Sequence, residues 1–342
     1  MTALRAPITL EAVEEIKMFA KASKLICCLI AVVAGVIPAF AQTKEYPDQT
    51  IKIVVPFAPG GGVDAVARLM AERLGSELSV PVIVENRAGA SGTVGGGYVQ
   101  RAASDGYTLL LSSNTHSMAK QVLANAPYDP LKDFTFIARV GQAPLMTVMA
   151  TDKPQTSLSD IAKAIKADPN TWTAGTPALG SPGHIATIAF MQLTGAKLTV
   201  VPYRGTAPAL NDVVGGHIQL LTDAMLVLLP MAKGGKVKGI AVTSRKRTKL
   251  APDLPSAAES GVPGLDVSAW YGVWGPKGMP QDVVEKLNKA FTEATQELDK
   301  QGKLAAIGVE PVYETAEQFR AYTETEVARN AELLNSVGFQ PE

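Results

Sequence analysis

The sequence predicts an α/β protein built as two similar lobes facing one cleft, and three observations carry that prediction. First, Ile53 to Arg68 reads IVVPFAPGGGVDAVAR. Its apolar run stops at Pro56, Gly60, Gly61 and Gly62 follow, and Val66, Leu69, Met70, Leu74 and Leu78 then recur at helical spacing. Second, the same order returns further on. A short strand at Thr171 to Ala174 runs into GTPALGSPG at 175–183, and a helix starts near His184. Each strand–turn–helix junction aims unpaired backbone N–H groups and the positive end of a helix at one point. Such a point attracts a phosphate or carboxylate, although a tight turn without ligand has the same signature. Third, Val284, Leu287, Phe291, Ala294 and Leu298 make one apolar helical face near the C-terminus.

The remaining elements follow in order. Val82 to Glu85 is a short strand, and the loop after it is N-R-A-G-A-S-G at 86–92. Leu109 to Leu111 is a buried strand ending in Ser112, Ser113, Asn114, Thr115 and His116. Three strands thus end in polar or glycine-rich loops, and ligands of a parallel sheet sit beyond such carboxyl ends. In the second lobe Leu145 to Met149 is a strand, and Ser157 caps a helix carrying Leu158, Ile161 and Ile165. Leu198 to Tyr203 is a strand, followed by Arg204-Gly205-Thr206-Ala207-Pro208 and a helix to Val214. Ile218 to Leu221 leads to Thr222-Asp223, and Ile240 to Thr243 is a further strand. Val267 to Trp274 reads as a strand connecting the lobes, and Thr315 with Gln318 forms a capping-box pair before the last helix.

Composition narrows the function. Lys17, Lys21 and Lys24 precede an apolar run from Leu25 to Ile37, and Ala39-Phe40-Ala41 is a cleavage pattern. The expectation is an exported protein whose mature chain starts at Gln42. The run is shorter than the roughly 20 residues of a membrane span. Glu11, Glu14 and Glu15 are out of place in a leader, so Met18 is an alternative start. Both cysteines, Cys27 and Cys28, fall in the leader, so the mature chain has no disulfide and no thiolate chemistry. It keeps 28 basic and 29 acidic residues, and no basic block exceeds Arg245-Lys246-Arg247. Nucleic acid and anionic membrane surfaces are excluded as partners on that balance. An anionic ligand must then be held by local dipoles. No G-x-x-x-x-G-K-[ST] is present, and no G-x-G-x-x-G in the first turn, which argues against a nucleotide.

Four ordered segments make the chain recognisable: P-F-A-P-G-G-G-V-D at 56–64, V-E-N-R-A-G-A-S-G at 84–92, P-Y-R-G-T-A-P-A-L-N-D at 202–212 and P-S-A-A-E-S-G-V-P-G at 255–264. From about Tyr46 onward the sequence resembles the Bug family, the extracytoplasmic solute receptors of tripartite tricarboxylate transporters. The resemblance implies a two-lobed periplasmic-binding-protein fold of type II character, with two parallel-rich sheets flanked by helices. The chain crosses between lobes twice, giving lobe 1 as 42–143 plus 270–342 and lobe 2 as 144–269. It implies a periplasmic, monomeric carrier of a small carboxylate (a di- or tricarboxylate, an aromatic acid or an amino acid) that serves membrane transporter subunits without a cofactor. The ligand-binding positions carried over are Phe57, Ala58, Pro59, Gly60 and Gly61 in the first loop and Ser112, Ser113, Asn114 and Thr115 at the strand end. In the second lobe they are Ser181, Pro182, Gly183 and His184, then Tyr203, Gly205, Thr206 and Ala207, and finally Asp223. Arg204 and Trp274 depart from the family pattern.

Several of these residues admit plainer readings. Asp64 is expected to cap the helix from Val63. Ser181 and His184 sit three apart, but no G-x-S-x-G surrounds the serine, so a hydrolase remains a remote alternative. His116, His184 and His217 form no metal-binding pattern. Asp223 either meets the ligand or holds a loop. Trp270, Tyr271 and Trp274 are core candidates, one of them facing the cleft. A ligand-sensing partner of a membrane receptor would present the same cleft.

Overall fold

The computed structural model describes residues 46–342, together with positions 14, 15, 17 and 18. The expected cleavage site after Ala41 and both cysteines lie outside the described residues. The first module runs β1 (Ile51–Val55), α1 (Gly62–Leu78), β2 (Val82–Asn86), α2 (Thr93–Gln100) and β3 (Thr108–Ser113). β1 pairs in parallel with both β2 and β3. It is buried along almost its whole length, which suits the continuous apolar run that marks it in the sequence.

A short helix α3 (Ala119–Val122) leads to β4 (Phe134–Met149). Over Phe134 to Pro144, β4 lies antiparallel to β9 (Ser268–Pro276) in the first sheet. Over Leu145 to Met149 it pairs instead with β7 (Leu220–Ala224) and β8 (Lys238–Val242) in the second. The partners change at Pro144, a residue that lacks the N–H a continuous ladder would use. One strand therefore spans both sheets. The second sheet is completed by β5 (Thr173–Thr176), parallel to both β6 (Thr199–Pro202) and β7. Between its strands run α4 (Leu158–Ala167), α5 (Pro182–Thr194), α6 (Thr206–Val214) and α7 (Met225–Lys233). After β9 come α8 (Gln281–Lys300), α9 (Lys303–Ala306), the two-residue β10 (Glu310–Pro311) on β4, and α10 (Ala316–Ser336). The first sheet reads β2-β1-β3-β9-β4 and the second β4-β7-β5-β6, with β8 also on β4. None of the described helices is long and apolar enough to cross a membrane.

Local chemistry explains the element starts. Ser157 accepts the Asp160 N–H at 3.1 Å and starts α4. Thr315 and Gln318 close a full capping box at α10. The five expected apolar positions of α8 are all buried, and Phe291 is fully so, each large side chain contributing about 1.5–3 kcal/mol on burial. Trp270 and Trp274 are buried, with Trp274 5.2 Å from Phe319 and 6.1 Å from Phe136. Trp274 is thus a packing feature of the first sheet.

The sequence reading names none of α2, α3 and α9, and three further elements escape the sequence pattern. The first eleven residues of β4 are buried on both faces and bulged near Ile137 and Val140, so they show no clean alternation. α7 has no side-chain cap and contains Pro230. β10 is only two residues long.

Candidate functional site

Loops from both sheets converge on one small cavity. The first sheet supplies Phe57, Gly61, Gly62, Val63 and Asp64 after β1, Ser113 and Thr115 at the end of β3, and Ala269 and Tyr271 on β9. The second supplies Pro177, Ser181 and Pro182 after β5, Gly205 and Thr206 after β6, and Asp223 and Ala224 at the end of β7.

Four of these residues are helix N-caps: Gly61 of α1, Ser181 of α5, Gly205 of α6 and Ala224 of α7. Each helix start leaves N–H groups without intrahelical acceptors. Each also carries a partial positive charge that stabilises an anion by about 0.3–1 kcal/mol. Among the described residues, no lysine, arginine or histidine lines the cavity. The anion-attracting elements are therefore helix termini plus the hydroxyls of Ser113, Thr115, Ser181 and Tyr271, the Thr206 O–H being given to Asp223.

Asp64 is not an N-cap. The first helical turn starts at Gly62, and Gly61 provides no side-chain cap. The Asp64 carboxylate reaches back instead, accepting the Gly60 N–H at 3.0 Å, two bonds from Arg68 at 3.0 Å each and one from Asn86 at 2.9 Å. Burial pushes its pKa up, but Arg68, Gly60 and Asn86 together outweigh that and hold it low. This network shapes the Phe57–Gly61 turn, in which Gly60 has φ +87°, a conformation that suits glycine.

Asp223 is the second carboxylate of the cavity and has no cationic partner there. It accepts hydrogen bonds from the Thr206 hydroxyl and the Ala224 N–H. Burial raises its pKa from 3.8 to about 6, against those two hydrogen bonds. Asp223 thus holds a loop, tying α6 to the end of β7, and it also lines the cavity. Tyr271, on β9, has its hydroxyl held protonated by burial and by the nearby Asp223.

The structure brings together nine of the expected positions, Phe57, Gly61, Ser113, Thr115, Ser181, Pro182, Gly205, Thr206 and Asp223. The others fall outside the cavity lining, for identifiable reasons. The Gly60 N–H is already given to Asp64. Ala58 donates its N–H to the Arg204 carbonyl at 3.2 Å, and Pro59 lies beside it. Ser112 and Asn114 alternate with Ser113 and Thr115 and are buried away from the cavity. Gly183 packs on β7, where a Cβ would meet the Thr222 carbonyl oxygen at 1.9 Å. His184 uses Nδ1 to accept the Gly180 N–H at 3.0 Å, and burial lowers its pKa to about 4, so its ring is neutral. Tyr203 donates its hydroxyl to Asp212 at 2.5 Å. Ala207 sits one residue inside α6 and off the cavity wall. Arg204 is exposed, and its carbonyl is what meets the opposite loop.

A Ser181–His184 nucleophile and base is not formed. Ser181 Oγ caps α5 by accepting the His184 backbone N–H at 3.1 Å, and it shares a 2.8 Å hydrogen bond with Thr176. Sequence reasoning missed Gly62, Val63, Pro177, Ala224 and Ala269 as lining residues. Of these, only the Ala224 helix start adds an anion-attracting group, and nothing in Met225–Lys233 signals a cap.

Residues 66–339 match the family described as the Tripartite tricarboxylate transporter family receptor. Protein BugT of Bordetella pertussis is 34% identical over 304 residues, which is 88% of this chain and 93% of BugT. Among solved structures, the periplasmic binding protein BugD superposes with a TM-score of 0.82 at 35% identity, covering 87% of this chain and all of BugD. Rpa4515 of R. palustris, solved with adipate, gives 0.83 at 32% identity, with 87% and 100% coverage. The fold is accordingly the two-lobed α/β fold of periplasmic binding proteins, and the site belongs to a binding protein rather than an enzyme. With its four helix starts and paired loops facing one cavity, the chain belongs to the tripartite tricarboxylate transporter receptor family, the Bug family of periplasmic solute-binding receptors.

Proposed function

We propose that this protein is exported, captures a small organic carboxylate in the Gly61–Ser181–Thr206 cavity, and delivers it to a tripartite tricarboxylate-type membrane transporter. One observation carries the reading. Four helix N-termini and four hydroxyl side chains converge there without a cationic side chain. A carboxylate fits such a site, because its oxygens accept several N–H and O–H bonds at once. The adipate complex of Rpa4515 supports the ligand class. In this reading lobe 1 is 42–143 plus 270–342 and lobe 2 is 144–269, hinged at the two crossover strands. Each lobe contributes about half of the cavity lining, so ligand contacts on both sides favour the closed form.

The test is a thermal-shift and calorimetric screen of the protein against adipate, other small dicarboxylates, aromatic acids and amino acids, each with a chloride control of equal ionic strength. A ligand at 100 times its Kd adds about 2.7 kcal/mol to stability. The expected result is a saturable shift for a carboxylate, one site per chain, with the compound recovered unchanged. Absence of a shift across the panel, or turnover of the bound compound, overturns the proposal. N-terminal sequencing of periplasmic protein tests export, with Gln42 expected as the first residue.

A further inference from the structure

The loop from Gly89 to Gly92 carries four successive residues at positive φ: Gly89 at +140°, Ala90 at +44°, Ser91 at +50° and Gly92 at +89°. Two of them, Ala90 and Ser91, have side chains that disfavour this conformation. The loop is nonetheless tightly specified. Gly92 N–H donates to Gly89 at 2.9 Å, and the Thr93 hydroxyl donates to the Ala90 carbonyl at 2.7 Å. Its consequence is the position of one side chain. Ser91 Oγ accepts the Leu179 N–H at 3.1 Å. Ser91 follows β2 in the first sheet, whereas Leu179 lies in the loop between β5 and α5 of the second. This hydrogen bond therefore crosses from one lobe to the other.

Leu179 belongs to the loop that delivers Pro177, Ser181 and Pro182 to the cavity. Ser91 itself does not line the cavity. The neighbouring Gly180 is packed from the same side, since a Cβ there would lie 2.8 Å from Met118 Cβ. A second crossing bond joins the Ala58 N–H to the Arg204 carbonyl, but it is made by backbone alone. Ser91 is the side-chain acceptor through which the first lobe grips the ligand loop of the second.

We propose that Ser91 is a positioning residue for ligand capture. Its left-handed backbone conformation is maintained to present Oγ to Leu179, and this bond latches the β5–α5 loop against lobe 1 in the closed protein. The proposal rests on the reading that the two lobes separate and close. The loop then holds the closed arrangement directly, in addition to any contact that the ligand makes.

The experiment compares Ser91→Ala, Ser91→Gly and Ser91→Asn in the full-length exported protein without added ligand. Ala removes the acceptor and keeps the backbone penalty. Gly removes the acceptor and relieves it, which keeps the test open should the Ala variant fold poorly. Asn tolerates the left-handed conformation and restores an acceptor. The readouts are amide hydrogen exchange at Leu179 and the radius of gyration from small-angle scattering. Expected is exchange at Leu179 about fivefold faster in the Ala and Gly variants, equivalent to about 1 kcal/mol. Their radius should be larger, with both values restored toward wild type by Asn. Wild-type exchange and radius in both the Ala and Gly variants would overturn the latch. So would a Gly variant that behaves as wild type while only Ala differs, because backbone strain and not the hydroxyl would then be the determinant. No carboxylate enters these measurements, so their failure is distinguishable from failure of the ligand assignment.

Discussion

Replacing Asp223 by asparagine should change how stability depends on pH, with a size and sign set by its surroundings. Asp223 is buried, and its pKa rises from 3.8 to about 6. The native state therefore holds a proton that the unfolded chain has released between about pH 4 and pH 6. Stability falls with rising pH across that window, and the full penalty is present above it. Raising the pKa by about 2.2 corresponds to about 3 kcal/mol at neutral pH. Linkage gives a penalty of about 1 kcal/mol at pH 4.5 and about 3 kcal/mol at pH 7.5. Asparagine keeps an oxygen for the Thr206 hydroxyl and the Ala224 N–H but does not ionise. Urea unfolding of the wild type and Asp223→Asn at pH 4.5, 5.5, 6.5 and 7.5 isolates the effect, because every other titrating group is common to both. The variant should gain about 2 kcal/mol relative to wild type between the two extremes, whatever constant offset the substitution brings. A pH-independent difference would refute the argument that burial dominates at Asp223. The same logic extends to the ligand. A bound carboxylate near Asp223 favours its protonated form, so carboxylate affinity should rise as pH falls through about 6.

Other perturbations follow from the same geometry. Gly183→Ala places a Cβ 1.9 Å from the Thr222 carbonyl and should cost about 3 kcal/mol in urea unfolding, with the melting midpoint falling accordingly. Gly61 is different, since a Cβ there would make only an ordinary 3.5 Å contact with Thr206. Gly61→Val should fold, as judged by circular dichroism, and lose at least tenfold in calorimetric carboxylate affinity, about 1.4 kcal/mol, whereas Arg204→Ala should lose less. Ser181→Ala removes the α5 cap and should destabilise the protein by about 1 kcal/mol, measured by chemical denaturation. Asp64→Ala frees the Gly60 turn and leaves the Asn86 amide without this acceptor. It should lower stability by about 2 kcal/mol or more at neutral pH. That loss should shrink as the wild type is acidified through the depressed Asp64 pKa, the opposite sign to Asp223.

Local sequence determined much of this protein. The Ile53–Arg68 and Thr171–Leu193 junctions, the Ser157 cap, the Thr315–Gln318 box and the apolar face of α8 depend on neighbours within one or two turns, so spacing alone reveals them. The same locality placed Gly61, Ser181 and Gly205 at helix starts. Tertiary structure decided which of the neighbouring groups are still available. Gly60 and Gly61 look equivalent in sequence, yet the Gly60 N–H is consumed by Asp64, whose carboxylate is in turn oriented by Arg68 and Asn86. Ser112 and Ser113 are adjacent and chemically identical, but strand alternation sends them to opposite faces, and only sheet pairing says which face meets the cleft. Tyr203 and His184 carry suitable chemistry, and Asp212 and the Gly180 N–H, brought close by the folded loops, occupy it. The long β4 strand, the fourth helix start at Ala224 and the Ser91–Leu179 bond rest on contacts between segments far apart in the chain. Such contacts leave no periodic trace, because their stabilisation comes from pairing and burial that exist only once both sheets have formed.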